Sequence, residues 1–204
     1  MHLSILTDKQ RALLPVVRRF KRSFYLVGGT AIALQIGHRR SVDFDLFTEG
    51  KLRKTRLRAV LKEVAFHQQL LHEDVDQLHV LCNQVKLTFF SYPYHVPHSL
   101  PAGDFATMPS LLSLAAMKAF ALGRRAKWKD YVDLYFIMLG HYSIEEISHE
   151  ANRLFDGQYS EKLFREQLAY HDDIDYTEAV DYVNKPIPDE SIRSGLMEIA
   201  TRIL

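Results

Sequence analysis

Three short stretches of this chain hold residue types that can handle a phosphate chain and a metal ion. The first is Gly28-Gly29-Thr30, which follows the apolar run Phe24 to Val27. Glycines without side chains let a backbone approach a phosphate closely. A helix that starts there offers unpaired N–H groups and its positive dipole end to an anion, and Thr30 adds a hydroxyl donor. The second is Asp43-Phe44-Asp45. Residues two apart on a strand share a face, so both carboxylates point the same way. Such a pair suits Mg²⁺, which binds through one or two carboxylates plus substrate phosphates. The third is Lys118, the only charged residue between Leu111 and Leu122, followed by Asp130. An ammonium in an apolar stretch must reach water or meet an anion. Asp130 and Asp133 are one helical turn apart, near a predicted helix start where the dipole favours acids.

The chemistry these parts can do together is metal-assisted phosphoryl or nucleotidyl transfer. Each part alone has a plainer reading: a tight turn, an exposed strand face, a snorkelling lysine, a helix-start acid. The order is more specific than any part. There is no Gly-Lys-Ser/Thr of a Walker loop and no dinucleotide fingerprint.

The elements that must position these residues follow from periodicity. Thr7 with Gln10 matches a capping box. Leu13, Leu14, Val17 and Phe20 recur at helical spacing, with Pro15 expected to kink that helix or shift its start. Phe24 to Val27 reads as a buried strand, and Thr30 to Ile36 as a short helix closed by Gly37. Val42 to Phe47 alternates, with Val42, Phe44 and Leu46 on one face and Asp43, Asp45 and Phe47 on the other. Leu57, Val60, Leu61 and Val64 mark an amphipathic helix. Strands are predicted at His67 to Glu73, Gln77 to Cys82 and Val85 to Ser91, with turns at Asp74-Val75-Asp76 and Asn83-Gln84. Pro93 to Pro101 reads as a loop. Helices are predicted over 110–122, 128–139, 144–155, 160–170 and 189–203. Ser143 with Glu146 caps the third of these, and Ile192, Leu196, Ile199 and Ile203 stripe the last. The order is a mixed α/β region and then a helical one, with a seam near residues 100–110.

Composition bounds the function classes. The chain has 204 residues, 47% of them hydrophobic and 25% charged, which excludes a disordered or fibrous chain. Its one cysteine, Cys82, excludes an internal disulfide framework and a cysteine zinc site; it reads as a small buried hydrophobe. No signal peptide is expected from Met1 to Leu6. The apolar stretch Leu111 to Leu122 is too short to span a bilayer, so the expected location is the cytoplasm, without membrane contact. Net charge is +1, but residues 1–130 hold 20 Lys/Arg against 10 Asp/Glu and residues 131–204 hold 6 against 15. That split suggests an anionic partner for the first part, or two halves whose fields partly cancel.

The segments Gly28-Gly29-Thr30-Ala31, Gly37-His38-Arg39, Ser41-Val42-Asp43-Phe44-Asp45-Leu46-Phe47, Met117-Lys118 and Lys129-Asp130-Tyr131-Val132-Asp133-Leu134 resemble the nucleotidyltransferase superfamily. More closely, they resemble its AbiEii/AbiGii toxin family, over about residues 20–140. The resemblance implies an α+β fold. A polymerase-β-like core, a mixed sheet with flanking helices, would occupy residues 1–105. A helical C-terminal region, residues 106–204, would complete the active-site cleft. It implies NTP and Mg²⁺, and a toxin role in bacterial toxin–antitoxin or phage-defence systems, with an antitoxin protein as partner. Residue by residue, Gly28, Gly29 and Thr30 would hold NTP phosphates, Asp43 and Asp45 the metal, Lys118 the triphosphate, and Asp130 would be the active-site acid. The family commonly carries a third carboxylate on a later strand. Here that strand is Val85-Lys86-Leu87-Thr88-Phe89-Phe90, and Thr88 stands in its place.

The acceptor stays open among RNA (a tRNA end), a protein hydroxyl and a small molecule. So do a degenerate fold that binds nucleotide, RNA or antitoxin without turnover, and a kinase-like phosphotransferase. The basic runs Lys51 to Arg58 and Arg124 to Lys129 are either phosphate tracks or solvated faces. His38, Arg39 and Arg40 either neutralise phosphate or pair with nearby acids. His171 to Asp175 reads as a helix-capping loop. Phe89, Phe90, Tyr92 and Tyr94 read as core or interface aromatics.

Overall fold

A computed structural model of the chain describes residues 1–64, 67–122 and 124–202. They form two compact units, Met1–Ser110 and Leu111–Leu204.

The first unit opens with α1 (Asp8–Arg18). Its capping box is reciprocal: Thr7 Oγ1 accepts from the Gln10 N–H at 3.2 Å and Gln10 Oε1 accepts from the Thr7 N–H at 3.1 Å. The helix continues through Pro15, so the proline does not move its start. Then come β1 (Tyr25–Val27), α2 (Gly28–Ile36), β2 (Phe44–Thr48), α3 (Lys54–Val64), β3 (Gln68–Glu73), β4 (Gln77–Cys82) and β5 (Val85–Ser91). Gly37 closes α2 in the left-handed conformation, with φ 68°.

The five strands form one mixed sheet in the order β1-β2-β5-β4-β3. Only β2 and β5 run parallel; the other pairs are antiparallel. The turn Asn83-Gln84 has φ of 50° and 68° at its two residues, the signature of a tight hairpin turn whose twist matches its strands. One sheet face is buried: Phe44, Leu46, Leu78, Val80, Cys82, Leu87 and Phe89. The rings of Phe20 and Phe24 lie edge-on to Phe89, at 4.9 and 5.3 Å between centroids. Each such side chain contributes about 1.5–3 kcal/mol by leaving water. The buried Cys82 thiol is pushed up to about 11 by that burial. The opposite face is half-open and carries Asp45, Thr88 and His79.

Two expectations change here. Val42 does not share the buried face with Phe44 and Leu46; the strand begins at Phe44 and Val42 is 52% exposed. The stretch expected as a loop to Pro101 ends in a strand, β6 (Leu100–Ala102), paired with β7 (Ala106–Met108). Both are edge strands, where a proline costs no ladder bond. This hairpin carries the first unit to Ser110, past the expected division at residue 105.

The second unit is helical: α4 (Leu111–Leu122), α5 (Trp128–Gly140), α6 (Ile144–Phe155), α7 (Glu161–Ala169) and α8 (Asp189–Thr201). Ser143 and Glu146 form the expected capping box. Phe120 and Phe155 stack at 4.0 Å between α4 and α6. In α8, Ile192, Leu196 and Ala200 are buried, and Ile199 is half-buried; Ile203 lies outside the described residues. No helix among the described residues is long and apolar enough to cross a membrane.

Candidate active site

The first unit assembles a cluster around the glycine turn. β1 ends at Val27, which sits opposite Asp45 in the antiparallel pair. Gly28 follows with φ +71°, a conformation that L side chains rarely adopt. A Cβ at Gly28 would overlap the Asp45 carboxylate. A Cβ at Gly29 would lie 2.5 Å from Arg39 Nη2 and 3.1 Å from Ser41 Oγ. Each glycine therefore makes room for a charged group, one carboxylate and one guanidinium. Both sit in the first turn of α2, where N–H groups lack helical partners.

Thr30 has a different task from the one expected of it. Its side chain is buried, and its hydroxyl donates to the Asp43 carbonyl. A hydroxyl has one proton to donate, so Thr30 ties α2 to the chain entering β2 and is not a phosphate donor in this arrangement. Arg39 is only 2% exposed and donates through Nη1 to the Arg40 carbonyl at 3.0 Å.

Asp43 lies just before β2. Its carboxylate pairs with Lys86 at 2.8 Å, both side chains about a third exposed. A pair that wet is worth about 0–1 kcal/mol, so an incoming divalent ion can compete for the carboxylate. Asp45 stands between Val27 and Thr88 in the sheet register. Thr88 is thus beside Asp45, where the family carboxylate was expected. Among the described residues no three His, Cys, Asp or Glu side chains converge to hold a metal by themselves. A metal on Asp43 and Asp45 would have to complete its shell with phosphate oxygens and water, as Mg²⁺ commonly does.

The second unit gathers its own charged cluster. Lys118 does not snorkel. It is 6% exposed, with Nζ 2.5 Å from Asp130 Oδ1 and 2.9 Å from Asp133 Oδ2. Arg125 Nε meets the other Asp130 oxygen at 3.0 Å. Burial pushes the Asp130 carboxyl up, but the Lys118 and Arg125 cations, with the Lys118 hydrogen bond, outweigh it and hold Asp130 below the usual carboxylate range. Asp133, read from the sequence as structural, is fully buried and is the second ligand of Lys118.

Other expectations resolve. In the run Arg124 to Lys129, Arg124 lies over the Phe120 ring at 4.3 Å, Arg125 pairs with Asp130, and Lys127 and Lys129 both meet Glu178. Those four cations are engaged internally. Arg58 and Lys54 both pair with Glu73, while Lys51, Arg53 and Arg56 are exposed. The loop around Asp175 meets a helix start: the Trp128 N–H, first of α5, donates to Asp175 O at 3.0 Å, and Asp175 N–H donates to Ala126 O at 2.7 Å.

Residues 11–96 match the model of the AbiEii nucleotidyl transferase toxin family of type IV toxin–antitoxin systems. MenT4, a nucleotidyltransferase toxin from Mycobacterium tuberculosis, superposes with a TM-score of 0.63 at 15% identity, over 94% of this chain and 80% of its own. JHP933 from Helicobacter pylori gives 0.58 at 14% identity, over 96% and 91%. An uncharacterized protein of Aquifex aeolicus is 33% identical over 129 residues, 58% of this chain and 59% of that relative. The fold of the chain is thus similar to that of solved nucleotidyltransferase toxins. The match over residues 11–96 includes the Gly28-Gly29-Thr30 and Asp43-Phe44-Asp45 motifs of the resemblance, while Lys118 and Asp130 lie outside it.

Gly28→Ala should lose about 1–2 kcal/mol from backbone strain alone, and displace Asp45; urea unfolding and the loss of any Mn²⁺ binding would show it, and an unchanged midpoint would contradict the steric account. Lys118→Ala should destabilise the helical unit by about 3–5 kcal/mol, because two buried carboxylates lose their cation. For Asp130 the lowered folded pKa gives stability that is full above the unfolded carboxylate pKa and lost as pH falls through the folded value. Urea midpoints of the wild type should therefore hold from neutral pH to about 5 and drop in acid, and Asp130→Asn should flatten that drop.

Proposed function

We propose that this protein is a toxin that transfers a nucleoside monophosphate from an NTP to an acceptor hydroxyl with Mg²⁺. The observation that carries the reading is the Asp45 carboxylate held against Gly28 at the first turn of α2. Asp43 and Asp45 hold the metal, which when bound supplies positive charge to the phosphates. The first-turn N–H groups at Gly28 and Gly29 bind phosphate oxygens. Thr30 fixes the main chain of Asp43, so the two carboxylates keep their places relative to the turn. Lys118 and Asp130, which the resemblance offers for the triphosphate and the acceptor, pair with each other inside the second unit. The acceptor oxygen attacks the α-phosphorus in line and pyrophosphate leaves. Positioning and charge neutralisation account for most of the rate. RNA, including a tRNA end, and protein hydroxyls are the acceptor classes to test. The type IV toxin–antitoxin description of the matching family supports an antitoxin encoded with it.

A second reading is a nucleotide- or antitoxin-binding protein without turnover. Thr88 beside Asp45 favours it, since a carboxylate there would complete a two-metal site.

An assay with each α-labelled NTP against total cellular RNA and protein separates the two. Transfer should release pyrophosphate and not a nucleoside diphosphate, and Asp43→Asn with Asp45→Asn should reduce it to background while the circular dichroism stays native. A double variant that still transfers label refutes the site. Binding of Mg²⁺ and NTP, seen as a raised Tm, without transfer would favour the second reading. Lys86→Met should also tighten Mn²⁺ binding about two- to fivefold by removing the competing ammonium; weaker or equal binding in calorimetry would mean that Lys86 does not compete.

A further inference from the structure

We propose that His79 is the proton acceptor for the attacking hydroxyl, in place of the carboxylate that Thr88 replaces. This inference rests on the nucleotidyl-transfer reading above.

The sheet register carries it. Asp45 on β2 is opposite Thr88 on β5, and Thr88 is opposite His79 on β4. Residues directly opposite in a sheet point to the same face. Asp45, Thr88 and His79 are all half-buried, while their chain neighbours Phe44, Leu46, Leu87, Phe89, Leu78 and Val80 are buried on the other face. One row across the open face therefore reads Asp45, Thr88, His79. Strands lie about 4.8 Å apart. The imidazole stands one strand beyond the position where a third carboxylate would stand, and threonine is shorter than the carboxylate it replaces.

The hydrogen bonding suits a base. His79 Nε2 is 3.1 Å from Gln77 Oε1. In the tautomer that makes this contact a hydrogen bond, Nε2 carries the proton and Nδ1 keeps its lone pair. The charged and titratable groups that face the ring are His72 on β3, whose ring centroid is 5.3 Å away, Lys86 on β5, and Asp45 beyond it on β2. Burial lowers the His79 pKa most, His72 and Lys86 lower it further, and Asp45 opposes them. The net direction keeps the ring neutral near pH 7, as a base must be.

The step balances. Nδ1 takes the hydroxyl proton as the oxygen–α-phosphorus bond forms. The α-phosphorus–oxygen bond to pyrophosphate breaks, and pyrophosphate leaves with the electron pair. The imidazolium then returns its proton to water.

The test is single-turnover transfer from labelled NTP and Mg²⁺ to total RNA or protein, by the wild type, by His79→Gln and by His79→Gln with Thr88→Asp. A general base is worth about 10²–10⁴-fold. His79→Gln should slow transfer at least about a hundredfold with native circular dichroism and unchanged NTP affinity. Thr88→Asp in that background should restore the rate to within about tenfold. The wild-type rate should rise with pH along a one-proton limb centred below the usual histidine value; this readout stands even if the variant does not fold. A rate for His79→Gln within threefold of wild type, a double variant as slow as the single, or a wild-type profile without that limb overturns the assignment of His79 alone. A wild type that transfers no label from any NTP overturns the nucleotidyl-transfer reading and this inference with it.

Discussion

A side chain at position 28 and the Asp45 carboxylate cannot occupy the same space. The backbone at Gly28 turns with positive φ directly out of β1, and Asp45 rises from the neighbouring strand against it. The turn, the start of α2 and the acidic strand are thereby held at contact distance. Gly29 repeats the arrangement for the Arg39 guanidinium. The glycine turn and the acidic strand are one steric unit, and β1 with β2 is the pair that fixes it.

Around that unit the sheet divides its labour by face. The buried face holds the sheet to Phe20, Phe24 and the helices, which provides rigidity. The open face carries Asp45, Thr88, His79 and Lys86 on strands that the buried face cannot let slip, because a one-residue shift would turn Phe44 and Leu46 outward. Polar side chains that need fixed spacing are thus positioned by apolar ones that supply the energy. In the helical unit the logic is electrostatic. Lys118, Asp130 and Asp133 are buried together while the exposed Arg125 reaches Asp130 from the surface, so the buried charges depend on one another for their solvation.

Most elements were legible from local signals. Capping boxes at Thr7 and Ser143, the left-handed glycine at position 37, the alternation in β2, β4 and β5 and the two-residue turn at Asn83-Gln84 each act within a few residues, where chain chemistry decides. The hairpin of β6 and β7 escaped because its strands are three residues long and contain Pro101, so neither period nor propensity marks them. The basic run at Arg124 to Lys129 stayed open between a phosphate track and a solvated face because one of its partners, Glu178, lies about fifty residues away in the chain, where no local pattern encodes its approach.

The amino-acid order by itself determined the element types, the mixed-then-helical plan and the glycine turn with its two aspartates, because these depend on backbone conformation and on periods of 2 and 3.6 residues. The resemblance to nucleotidyltransferases, and not the order alone, marked Thr88 as the position that lacks a carboxylate. Only the tertiary structure decided who stands next to whom. It set Lys86 on Asp43, Arg39 on Gly29, Thr30 on the Asp43 carbonyl and His79 opposite Thr88. It also enclosed Lys118 between two carboxylates. Those neighbours lie on different strands and helices, and strand order and register, which place them, are set by the packing of one whole sheet face and not by any short stretch of chain.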